Sequence, residues 1–150
     1  MSSKQSDTTK AKALNILLVE DDDGDAKAVK RAFAKAEVAN TLIRAEDGVE
    51  ALQVLRGEHE SKKLDMPFIL LVDLNMPRMN GIELLKTLRA DPKLKKTIVF
   101  IISTSKREED INAAYEHNVS GYIVKETMGR DFACLAETID YFWRIVELPH

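Results

Sequence analysis

"NILLVEDDDGDA", Asn15 to Ala26, drives an apolar run straight into Glu20, Asp21, Asp22 and Asp23. Two carboxylates about 4 Å apart repel by about 4 kcal/mol at an effective dielectric near 20. The acids must therefore splay into water or gather around something positive. Asp is favoured at helix N-termini, which accounts for Asp22, Asp23 and Asp25 as the opening of a helix. A calcium loop is excluded. Asp21, Asp23 and Asp25 mimic its first three ligand positions, but Ala26 and Ala32 stand where it needs glycine and a bidentate glutamate. Glu20 and Asp21 need a different account.

Working outward, five apolar runs appear: "ILLV" (16–19), "TLIRA" (41–45), "FILLV" (68–72), "IVFII" (98–102) and "GYIV" (121–124). Three are continuously apolar, as strands covered on both faces are. Helical period fills the gaps. Ala26, Val29, Phe33 and Ala36 share one face, as do Val49, Leu52 and Leu55, and Ile82, Leu85 and Leu88. Ile111, Ala114, Tyr115 and Asn118 follow less cleanly, and Met128 to Leu148 is read as the longest helix. Gly57 and Pro92 punctuate helix ends. Strand and helix alternate, which predicts an α/β fold with a parallel sheet and helices on both faces.

The totals narrow the function. With 150 residues and 45% hydrophobic content the chain suits one domain with a sizeable core. A net charge of −3 without a basic face argues against direct nucleic-acid binding. The longest apolar runs are strand-sized, so no membrane span is expected. Residues 1–12 read as a loose tail without the apolar core of a signal peptide, and 13–150 as the domain. Cys134 is the only cysteine, which fits the reducing cytoplasm. His59, His117 and His150 show no metal-ligand spacing.

In such a sheet, ligands bind beyond the carboxyl ends of the strands. Glu20 and Asp21 follow the first run, Asp73 the third, Ser103 the fourth and Lys125 the fifth. Three acids converging on one edge, with no thiolate or imidazole, favour a hard cation, Mg²⁺ above others. Lys125 alone would be an exposed lysine at a strand end, but it arrives at the same edge as Asp73 and Ser103.

"LLVED", "LVDLNMPRMNG", "IIST" and "SGYIVK", in this order, resemble the response-regulator receiver domain of two-component signalling. "EDDDGDA", "TSKREEDINAAYEHNVSGYIVK" and "FWRIVELP" resemble the single-domain regulators that accompany bacterial phytochromes. The resemblance implies a flavodoxin-like five-stranded sheet of order 2-1-3-4-5 and a sensor histidine kinase, of bacteriophytochrome type, as phosphoryl donor. It makes Asp73 the phosphoacceptor and Asp21 a direct Mg²⁺ ligand, with Glu20 acting through water and Asn75 giving its backbone carbonyl. Ser103 and Lys125 would bind the phosphoryl oxygens, and Tyr122 would swing inward on activation. Two departures stand out. Glu126 follows the lysine where many receivers have proline; a non-proline cis bond costs about 2.5–4 kcal/mol, so a trans bond is expected. Thr104 stands where a smaller residue is common, and would narrow access to phosphorylated Asp73.

Other functions fit less well. A haloacid-dehalogenase-like phosphatase also uses an Asp nucleophile, Mg²⁺, a Ser or Thr and a Lys. It needs a second acid two residues after the nucleophile, where this chain has Asn75. A dinucleotide enzyme lacks its G-x-G-x-x-G after the first strand. The complete acid, serine and lysine set argues against a binding-only pseudo-receiver. No residues are left for an output domain, so signalling through protein contacts, without turnover of an external substrate, is expected.

The last helix adds one more expectation. Phe132, Leu135, Ala136, Ile139, Phe142, Trp143 and Val146 form the face that should cover the sheet. Cys134, Tyr141, Ile145 and Leu148 form a second apolar stripe opposite. Self-association buries such a patch twice, so a homodimer is expected there. The phytochrome-associated regulators also tend to pair through this region.

Overall fold

The computed structural model describes residues 14–38, 41–129 and 131–149; the tail expected at 1–12 lies outside them. Five strands form one sheet: β1 (Asn15–Val19), β2 (Thr41–Ala45), β3 (Phe68–Asp73), β4 (Val99–Ser103) and β5 (Gly121–Val124). All pair in parallel, in the order β2-β1-β3-β4-β5. The intervening helices are α1 (Asp23–Ala36), α2 (Gly48–Leu55), α3 (Gly81–Ala90), α4 (Glu108–Tyr115) and α5 (Ala133–Ile145), with a 3₁₀ turn at Lys125–Met128. Among the described residues no helix is long and apolar enough to cross a membrane.

The period of two along the central strands separates two cores. Leu17, Val19, Leu70, Val72, Val99 and Ile101 face α2, α3 and α4. Ile16, Leu18, Ile69, Leu71, Phe100 and Ile102 face α1 and α5, meeting Val29, Phe33, Leu135, Ile139 and Trp143. Each fully buried leucine contributes roughly 1.5–3 kcal/mol of hydrophobic stabilisation. This is why the central runs show no polar alternation. The chain leaves β1 outward to β2 and returns on the other side as β3, creating the crevice between β1 and β3 where such sheets bind ligands.

Local signals set the helix starts. Asp22 caps α1 by accepting from the Asp25 amide at 2.8 Å, and Asp47 caps α2 through the Glu50 amide at 2.9 Å. Asn80 and Glu83 form a reciprocal capping box at α3. Gly81 is required there: a Cβ would lie 2.8 Å from the Asp73 carbonyl oxygen. The first turn of α3 thus rests on the backbone of the residue that ends β3. Behind β2, Glu50 accepts from the Glu46 amide at 2.8 Å and from Lys62 at 2.9 Å, with His59 Nε2 at 2.9 Å.

The C-terminal segment differs from its sequence pattern. Met128 to Leu148 is not one helix. Gly129 (φ 79°) and Phe132 (φ 59°) adopt positive φ and break the chain between the 3₁₀ turn and α5. Phe132 is still buried in the core, so apolar spacing persists across the break. α5 stops at Ile145, where Val146 turns extended (φ −111°, ψ 136°), and at 13 residues it is shorter than the 14-residue α1. Leu148 therefore leaves the exposed stripe: it is half-buried against the α1–α5 core. The Lys125–Glu126 bond is trans; the cis bond among the described residues is Met66–Pro67.

Candidate functional site

β1 and β3 run in register, Val19 beside Val72, so Glu20 and Asp73 emerge side by side. Glu20 is fully buried and held to β2 by its amide, which donates to the Ala45 carbonyl at 3.0 Å. Asp21 turns to solvent, while Asp73 is buried, its Oδ1 accepting from the Asn75 amide at 3.2 Å. One step along, Ser103 ends β4 beside Val124 of β5. Its buried Oγ accepts from the Ser105 amide at 3.0 Å. Lys125 follows β5 and reaches back across the sheet edge, its Nζ donating to Asp25 at 2.8 Å, Glu20 at 2.9 Å and Asp73 at 3.5 Å.

These contacts resolve the tension in the acidic run. Lys125 offsets part of the charge of the inner acids. Arg44, from β2, donates to the Glu20 carbonyl at 2.9 Å and to Asp23 at 2.7 Å, fixing the loop that carries Asp21. On the far side, Arg78 pairs with Asp47 at 2.7 Å and the Gly48 amide donates to the Met79 carbonyl at 3.1 Å. The loop after Asp73 is thereby docked on α2.

Burial pushes the Glu20 carboxyl up to about 8, and its like-charged neighbour Asp73 adds to the rise; Lys125 opposes it only in part. Burial alone would lower Lys125, but Asp25, Glu20 and Asp73 outweigh it and hold the ammonium well above the usual lysine range. The cluster is a site where carboxylates are crowded and short of positive charge.

Glu20, Asp21 and Asp73 each offer one oxygen within 4.8 Å of the others. An all-oxygen set of this kind fits a hard divalent cation. The structure brings Glu20, Asp21, Asp73 and Lys125 together, and the register places Ser103 at the end of the adjacent strand on the same sheet edge. Asn75 and Thr104 are exposed beside Asp73 and Ser103 in the chain. Tyr122 is half-buried, its hydroxyl donating to the Ser105 carbonyl at 2.9 Å.

Sequence reasoning missed one member of the cluster. Asp25, assigned to helix capping, instead pairs with Lys125. The cap is Asp22 alone, and the signal for Asp25 was only its spacing one helical turn beyond Asp21. On α5, Cys134, Tyr141 and Ile145 are exposed, as expected, and Leu148 is not among them.

Comparison with known proteins agrees with this geometry. The model of the response regulator receiver domain matches residues 16–135. Response regulator Rcp1 of Synechocystis is 33% identical over 135 residues, covering 89% of this chain and 92% of its own. The phosphorylated cyanobacterial phytochrome response regulator RcpA superposes with a TM-score of 0.79 at 33% identity, covering 92% of this chain and 99% of that one. The Mn²⁺-bound form of Rcp1 gives 0.77 at 32% identity, covering 91% and 99%. The chain belongs to the response regulator receiver domain family and is a receiver-domain response regulator homologous to these phytochrome regulators.

Proposed function

We propose that this regulator takes a phosphoryl group on Asp73 from the phosphohistidine of a sensor kinase of the phytochrome type and passes the signal on by protein contact. An Asp73 carboxylate oxygen attacks phosphorus, the P–N bond to the donor histidine breaks, and the imidazole leaves. Phosphoryl transfer of this kind needs positioning and charge cancellation more than covalent help. The single observation that carries the reading is the juxtaposition at Asp73. This buried carboxylate ends β3 with the Lys125 ammonium 3.5 Å away. Ser103, at the end of the adjacent strand, turns its hydroxyl from Ser105 toward a phosphoryl oxygen.

Glu20, Asp21 and Asp73, with the Asn75 carbonyl, are the groups that would hold Mg²⁺. The cation supplies charge neutralisation to the phosphoryl oxygens. The kinase assignment is supported by the identity to RcpA and Rcp1 over nearly their whole lengths. No turnover of an external substrate is required, because Asn75 stands where a phosphatase of the rival class needs its general acid. Work in the cytoplasm, without direct contact to nucleic acid or membrane, agrees with the single cysteine and the acidic net charge. Cys134, Tyr141 and Ile145 on the outer face of α5 supply a pairing surface.

Intact-mass analysis with acetyl phosphate and Mg²⁺ tests the assignment. One phosphoryl adduct is expected on the parent and none on Asp73→Asn. An adduct at full level on the variant would move the site elsewhere.

A further inference from the structure

Lys125 has one more carboxylate than a phosphoryl site requires. Its three acidic neighbours are Asp25 at 2.8 Å, Glu20 at 2.9 Å and Asp73 at 3.5 Å. Glu20 and Asp73 belong, with Asp21, to the set whose oxygens converge within 4.8 Å; Asp25 does not. It stands in the first turn of α1 with its side chain 37% exposed, against 9% for Asp73 and 0% for Glu20. Asp25 therefore holds the ammonium from the open side of the cluster, while the other two acids hold it from within.

That arrangement bears on a conflict built into the site. An ammonium and a divalent cation repel strongly at a few ångströms even when partly screened. Both are drawn to Glu20 and Asp73. The lysine can stay beside the cation only if it has a partner that the cation does not use. We propose that Asp25 is this partner: a positioning residue that retains Lys125 from the open side when a divalent cation takes up the Glu20 and Asp73 oxygens, so that the lysine and the cation occupy one carboxylate cluster together. The inference rests on the reading of the cluster as a divalent-cation and phosphoryl site. It adds to that reading an acid that touches neither the cation nor the phosphorus and acts mainly through Lys125.

A double-mutant cycle on Mg²⁺ binding tests it. Calorimetry would compare the parent, Asp25→Asn, Lys125→Ala and the double variant, each checked for fold by circular dichroism. The Asp22 cap of α1 uses the Asp25 amide rather than its side chain, so the helix start survives the substitution. Asp25→Asn should weaken Mg²⁺ binding by about tenfold, the order expected when a unit charge moves within about an ångström toward a divalent ion. Asp25→Ser should do the same. In the Lys125→Ala background the loss should shrink to no more than about threefold, the residue left by the direct attraction of Asp25 for the cation. Parent-like affinity in Asp25→Asn would overturn the proposal. So would an equal loss in both backgrounds, which would mean that Asp25 acts on the cation directly. A parent that binds no Mg²⁺ at millimolar concentrations would instead reject the site itself, and Asp73 phosphorylation is read separately by mass.

Discussion

The Tyr122 hydroxyl donates to the Ser105 carbonyl at 2.9 Å, and the Ser105 amide donates back to Ser103 Oγ at 3.0 Å. Two residues on two strands, Ser103 and Tyr122, are thus tied through one loop residue. If Ser103 turned toward a phosphoryl group on Asp73, as proposed, it would give up the Ser105 amide, and the carbonyl that anchors Tyr122 would be free to move. Tyr122→Phe should then cost about 1 kcal/mol in the unphosphorylated protein, the usual worth of one such bond. In the presence of beryllofluoride, a phosphoryl mimic, the cost should fall toward zero. Urea unfolding of both forms measures it; equal losses would show that the Tyr122 bond survives activation.

The fold was legible because β1, β3 and β4 are covered on both faces and therefore read as unbroken apolar runs, each delivering its polar residue to the same edge. The site was legible to the extent that its residues sit at those strand ends. Asp25 was not, because an acid in the first turn of a helix is already explained by the helix itself. Its partner lies 100 residues away, and no local pattern reports that distance. Arg44 was hidden for a similar reason: within "TLIRA" it reads as the polar alternation of an outer strand, yet it clamps the acidic loop. The start of α5 was misplaced because Phe132 keeps the apolar period while its backbone is left-handed. Periodicity reports which side chains are buried, not the φ angle that carries them there.

The corner behind Arg44 has a defined pH dependence. Burial raises the Glu50 carboxyl, but Lys62, the Glu46 amide and His59 outweigh it and lower the group to about 2 from 4.5. A depressed carboxyl adds stability that is complete above its unfolded value and is lost as pH falls through the folded one. The window is therefore pH 4.5 down to 2. Its size is on the order of 2 kcal/mol after allowing for solvent screening of the half-exposed Lys62. Urea unfolding should show Glu50→Gln less stable than the parent by that amount at pH 7, with the gap closing toward pH 2. A gap independent of pH would mean that the Glu50 charge is not what secures the corner.

The outer face of α5 makes the last prediction. Tyr141 and Ile145 are 74% and 78% exposed, far more than side chains of that size usually are, and Cys134 lies on the same face two turns earlier. The ion pair between Arg144 and Asp140, at 3.1 Å, flanks the face and leaves it uncovered. A second copy of this helix across a two-fold axis would bury Tyr141 and Ile145 of both chains at once, each against the same patch. Because Leu148 is already half-buried against its own core, the contact should centre on Tyr141 and Ile145 and leave Leu148 out. Light scattering should give a dimer mass for the parent and for a Leu148→Ala variant, and a monomer mass with retained fold for Ile145→Asp. Dissociation by Leu148→Ala but not by Ile145→Asp would move the contact to the chain end. A monomeric parent at tens of micromolar, with and without phosphorylation, would assign the patch to a different protein partner.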